Sequence, residues 1–215
     1  MSQLVAFCVM TLLCIGLFML ITSRLEALIK ALGLHGIVLG VLALAIHADR
    51  YNLSVFVVAA SCVIIKGVVV PLLLTRALES MVDSCEKRPP VGYTISIFIG
   101  IAIIGLSFWL CRGLSAHGWQ DVSPALIATA ASTVLCGLFL LSARRQVLTL
   151  IIGYLLLENG LFVLGIALPV EQSLIVELGV LLDVMGCVFI LGVVLTRISR
   201  EFDSTETAAL EELKQ

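Results

Sequence analysis

Apolar residues in this chain fall into long unbroken runs. They show neither the alternation of a half-buried strand nor the one-sided stripe of a soluble helix. Seven runs stand out, at about 4–22, 27–47, 53–75, 92–111, 123–143, 147–168 and 172–196. A bilayer core needs about 20 apolar residues per crossing helix, and each run meets that need. Lipid offers no partner for backbone N–H and C=O groups, so each run is read as a helix. The pattern predicts an all-α integral membrane protein of about seven transmembrane helices, forming a single transmembrane domain over 1–215. The first run is too long for a signal-peptide core, and Met1–Gln3 carries no positive charge. It is read as a spanning helix and not as a cleaved leader. A polar connection at 79–91 contains Pro89-Pro90, which no helix continues through. It separates three runs from the following four. The tail 201–215 mixes acids with leucines and is read as a short cytoplasmic surface helix or frayed end.

Charge sets the orientation. The odd-numbered connections and the tail carry Arg24, Lys30, Arg76, Lys87, Arg88, Arg144, Arg145, Arg197, Arg200 and Lys214, whereas the even-numbered ones carry Arg50 and Arg112. Basic residues stay on the cytoplasmic side, so the N-terminus is expected outside and the C-terminus in the cytoplasm. Trp109 and Trp119 then fall near the outer boundary, where interfacial aromatics belong. Composition agrees with the pattern: 13% of residues are charged, against about 25% in a soluble domain. The net charge of -2 gives no basic surface for nucleic acid. Seven cysteines lie mostly inside the apolar runs, without a C-x-x-C pair, and are read as small packing residues. No nucleotide loop, zinc spacing or nucleophile elbow is present, so no metal or cofactor is assigned.

Against this background the ionisable residues within the runs are conspicuous: His35, Lys66, Glu158 and Asp183, each near mid-depth. A charged group at the bilayer centre costs on the order of 3 kcal/mol on insertion scales, and by default it marks a functional site. Small residues on the same helix sides, Ala59 and Cys62 beside Lys66 and Gly179 and Gly186 beside Asp183, place these groups toward other helices. Pro71, five residues past Lys66, removes a backbone donor and is expected to kink its helix. Asn159 is expected to hydrogen-bond the Glu158 carboxyl or an adjacent backbone carbonyl, and Glu177 lies near the outer end of the last run. Glu26 and Lys30, four apart, read as a solvated contact. The four core residues have the makings of a proton relay: Glu158 the carrier, Asp183 and Lys66 its neighbours, His35 an extension. The bland alternative is a structural pair, Lys66 neutralising Glu158 or Asp183, beside a packed neutral histidine. A faint echo relates HGIVLGVLAL at His35 to NGLFVLGIAL at Asn159, and PLLLTRALES at Pro71 to GVVLTRISRE at Gly192. Such a parallel repeat would pair units 27–77 and 147–197. It would put His35 and Glu158 in related places, with Lys66 about a turn past the place related to Asp183.

The segments GYLLLENGLFVLGIAL and IIKGVVVPLLLTRA, with the acid Asp183 in the last run, resemble hydrogenase-4 component E. That family is a membrane subunit of formate hydrogenlyase-type nickel–iron hydrogenase complexes. The last two runs are also similar to the subunit K family of complex I and to its small C-type counterpart in multi-component antiporters. There two helices each carry an intramembrane glutamate; here Glu158 matches the first, and Asp183 matches the second by position, at shorter spacing. The resemblance implies a non-catalytic subunit without metal of its own, in a bacterial or archaeal inner membrane. Its partners would be antiporter-like membrane subunits and a membrane-anchored redox module. Two other readings compete: a non-conducting scaffold for such subunits, and a stand-alone small-solute transporter.

Overall fold

In a helix every backbone N–H and C=O but the terminal ones is satisfied within the segment, which is the solution lipid demands. The apolar runs adopt it. The structure, a computed structural model, describes residues 3–46, 53–79, 91–112 and 123–167, together with Gly186 and Gly192. It describes residues 53–55, 57 and 58 by their backbone alone. The described helices are α1 (Gln3–Ile21), α2 (Leu25–Ile46), α3 (Leu53–Ile64), α4 (Val70–Glu79), α5 (Tyr93–Cys111), α6 (Pro124–Ala143) and α7 (Val147–Ala167). A π-helical turn, Ile65–Val69, joins α3 to α4 without a break. Among the described residues six helices are therefore long and apolar enough to cross a membrane. The expected last run, at 172–196, lies outside the described residues except for Gly186 and Gly192, both helical. The tail 201–215 and most of the loop 79–91 lie outside them as well.

The helices do not pack as two sequential groups. α1 lies against α2, α5 and α6, and α2 lies against both the α3–α4 span and α7. Two apolar clusters run through the bundle. One is built around Leu20, Leu28, Leu74, Leu140 and Ile152, and the other around Val9, Leu12, Leu42, Leu126 and Val163. Hydrophobicity alone does not drive helices together in lipid, so close contact relies on small residues. Glycines supply it at two seams. A Cβ on Gly137 would stand 2.6 Å from the backbone nitrogen of Leu157, and one on Gly160 would stand 2.7 Å from that of Val134, which locks α6 to α7. A Cβ on Gly36 would stand 2.7 Å from Lys66 Cβ and 2.8 Å from the Lys66 carbonyl carbon, and one on Gly33 would meet Pro71 Cγ at 2.8 Å. α2 is thus pressed onto the π turn. Buried hydroxyls on α6 are satisfied within the helix: Thr129, Ser132 and Thr133 donate to the carbonyls of Ala125, Ala128 and Thr129 at 2.7–2.8 Å.

One basic residue is drawn inside. Arg144, just past α6, is 3% exposed. It donates to the Leu20 carbonyl at 2.7 Å and to the Val91 carbonyl at 3.4 Å, and its guanidinium lies 4.3 Å from the centre of the Tyr93 ring. Leu20 lies in the last turn of α1 and Val91 precedes α5, so these three helix ends share one side of the bundle. The sequence places Arg144 in a connection expected in the cytoplasm; the structure buries it as an internal clamp. Glu26 and Lys30 are exposed, as a solvated contact requires.

Candidate functional site

Three elements bring the polar residues together. Lys66 lies on the π turn, where the Val70 N–H reaches back to the Ile65 carbonyl across five residues. Pro71 follows with no N–H to give. The kink expected at Pro71 is taken up as this widened turn, a form often found at functional sites. Glu158 and Asn159 lie on α7, and His35 lies on α2. The Lys66 ammonium donates to Glu158 Oε1 at 2.7 Å and to Asn159 Oδ1 at 3.1 Å. Asn159 Nδ2 is 3.3 Å from His35 Nδ1. Asn159 therefore bridges Lys66 and His35 and does not bond the Glu158 carboxyl. One residue on from Glu158 it has turned about 100° around the helix and meets different neighbours.

All four side chains are removed from solvent: His35 0%, Lys66 6%, Glu158 2% and Asn159 2% exposed. A lone buried ammonium would be costly, and the adjacent carboxylate, amide oxygen and aromatic face offset that cost. The aromatic is Phe162, with its ring centre 5.5 Å from Nζ. The sequence reading missed it, although Phe162 follows Glu158 by four residues and so shares its helix face. The Cys62 thiol, one turn before Lys66, donates to the Gly36 carbonyl at 3.8 Å. His35 Nε2 has no hydrogen-bond partner among the described residues.

Beside the pair is a small cavity, ≈ 10 Å³, lined by Leu32, Lys66, Val70, Leu155, Glu158 and Asn159. That is about the space one water needs; its wall is mostly apolar, with Lys66, Glu158 and Asn159 as its polar residues. Gly186 also reaches this point. A Cβ on Gly186 would lie 3.2 Å from Leu155 Cδ2 and 3.3 Å from Glu158 Oε2. Asp183 and Glu177 lie outside the described residues. Among the described residues no three His, Cys, Asp or Glu side chains gather as metal ligands.

Fold and site together define a multi-pass helical membrane protein with a hydrogen-bonded lysine–carboxylate pair buried between its helices. The sequence is 26% identical over 190 residues to the uncharacterized protein Rv0085 of Mycobacterium tuberculosis, covering 88% of this chain and 86% of that protein. It is 26% identical over 156 residues to hydrogenase-4 component E of Escherichia coli K12, covering 73% of this chain and 72% of that protein. Hydrogenase-4 component E of Shigella flexneri matches to the same extent. The chain is thus distantly similar to hydrogenase-4 component E. No family model matches it, and no solved structure matches it at a significant level.

Proposed function

We propose that the chain is a non-catalytic membrane subunit of a hydrogenase-type, energy-converting redox complex, and that its buried pair carries a proton (or cation) step coupled to electron transfer. The similarity to hydrogenase-4 component E supports the setting. The single observation that supports the chemistry is the Lys66–Glu158 contact of 2.7 Å beside a water-sized cavity. At that distance the ammonium can hand a proton to the carboxylate, leaving two neutral groups, which a low-dielectric interior tolerates well. Glu158 is the carrier in this reading and Lys66 sets its protonation. His35 extends the path through Asn159, and Asp183, in the last apolar run of the sequence, is a neighbouring relay residue in this reading. Glu177 and Pro71 are supporting residues. Moving one charge through 100 mV requires about 2.3 kcal/mol. The redox reaction must therefore change the carrier's proton affinity by roughly 50-fold. The partners are antiporter-like membrane subunits and a membrane-anchored redox module, in a bacterial or archaeal inner membrane.

The test is Glu158→Gln in the assembled complex within sealed membrane vesicles. Glutamine still accepts from Lys66, so assembly and redox turnover should persist while pumping is lost. Normal pumping at normal turnover rejects the carrier role. One observation favours a second reading, a non-conducting scaffold: Lys66 is directly paired, and glycine contacts hold its helix tightly. That reading expects Glu158→Gln to reduce assembly and leave pumping per assembled complex unchanged.

A further inference from the structure

The two hydrogen bonds of the Asn159 side chain carry a consequence for charge. An amide presents an acceptor at one end and donors at the other. An ammonium is donor-only, so with Lys66 charged the end 3.1 Å from Nζ must be the oxygen. The NH₂ end then faces His35 Nδ1 at 3.3 Å and requires a lone pair there. His35 is thereby held neutral, with its proton on Nε2. An imidazolium would oppose its Nδ1–H to the amide NH₂. If the amide turned to accept from it, NH₂ would oppose the ammonium.

We propose that Asn159 is an interlock: through the orientation of one side-chain amide it makes a positive charge on Lys66 and a positive charge on His35 mutually exclusive. Converting one state to the other takes one proton off Lys66, puts one on His35 Nδ1, and turns the amide by half a revolution, so the summed charge of the two residues stays the same. The backbone leaves little room to escape this constraint. His35 and Asn159 each precede a glycine, and both glycines sit in tight seams: Gly36 against Lys66 itself, Gly160 against Val134 and Ala130. Those seams fix the backbone from which the three side chains reach. Among the described residues, the charged groups on the elements packed against α2 are Lys66, Glu158 and, toward helix ends, Arg76 and Glu79, and the titratable Tyr154 on α7 and Cys62 on α3 join them. α2 itself carries Glu26 and Lys30 at its start, and α1 contributes the cysteines Cys8 and Cys14. As a device for moving charge between helices the interlock rests on the relay reading above; as a statement about protonation it does not.

The test uses the 215-residue chain in lipid nanodiscs with ¹⁵N-labelled histidine. The chain has three histidines, so His47→Gln with His117→Gln leaves His35 alone. Nitrogen–proton correlation spectra are recorded at about pH 7 and about pH 5, on either side of the ordinary histidine value of about 6.5. With Lys66, Glu158 and Asn159 intact, the spectrum should show the neutral Nε2–H tautomer at both. Lys66→Met with Glu158→Leu removes the pair without a net charge change and should free the amide to turn, so that the Nδ1–H tautomer joins the Nε2–H one. Adding Asn159→Leu should abolish that difference, because the link is then gone. Imidazolium or the Nδ1–H tautomer in the chain with an intact site overturns the proposal, even if the double variant fails to fold. So does an equal response to the double change with and without Asn159. A confirmed interlock in a complex whose Glu158→Gln variant pumps normally would reject only the transport reading; the reverse pair of results would reject only the interlock.

Discussion

The ammonium of Lys66 and the carboxylate of Glu158 depend on each other more than the fold depends on either. Breaking a buried pair by removing one partner costs about 3–5 kcal/mol, whereas replacing both with apolar groups of similar volume is often neutral or better. Lys66→Met alone should therefore lower stability by about 3–5 kcal/mol. Lys66→Met with Glu158→Leu should stay within about 1 kcal/mol of the parent. Unfolding in mixed detergent micelles measures both, and a double variant as unstable as the single one would favour the scaffold reading. At this scale the sequence was informative because charge in an apolar run is conspicuous: His35, Lys66 and Glu158 were each legible, and they meet. The partners of Asn159 were not legible. They depend on the π turn bringing Lys66 to the amide oxygen and on α2 lying across α7, neither of which is a local property of the residues around Asn159.

Helices in this molecule meet where side chains are missing. Gly36 lies against the backbone of Lys66, so Gly36→Ala must push α2 away from the π turn. The expected cost is about 1–3 kcal/mol, the range for overpacking, with loss of the Lys66–Asn159 contact. Gly105, on α5, has open space around it. Gly105→Ala should leave the fold intact and raise stability by about 0.5–1 kcal/mol through lower backbone entropy. Thermal melting of the two variants side by side checks the contrast. Equal effects would mean that the glycine seam carries no special load. Helix positions were readable because unbroken apolar length has one structural solution in lipid; α1, α2, α5, α6 and α7 begin and end within a few residues of the apolar runs. The π turn was not readable. Pro71 announces a missing donor, but whether the helix bends there or widens before it depends on Gly33 and Gly36 pressing from α2.

For the molecule as a whole, the Arg144 contacts fix parity. The end of α1, the start of α5 and the end of α6 are on one side, separated by two crossings each, as the alternation of charged connections requires. The basic residues predict that this side faces the cytoplasm. In a background lacking the native cysteines, Arg145→Cys should react with a membrane-impermeant thiol reagent only after the cells are opened. Ser123→Cys should react in intact cells. The opposite pattern would invert the orientation. The proposed parallel repeat belongs to this scale too. His35 and Asn159, matched in the sequence echo at 124 residues apart, touch each other; most of the second unit lies outside the described residues.

The Arg144 clamp also bears on how the protein is made. The last carbonyls of a helix have no partner within it, and Leu20 finds one in a residue synthesised 124 positions later. The first segment to enter the bilayer thus waits for the fifth, α6, before this end is tied. A ribosome stalled anywhere before Arg144 would leave that end untied, and quality-control proteases could recognise it there.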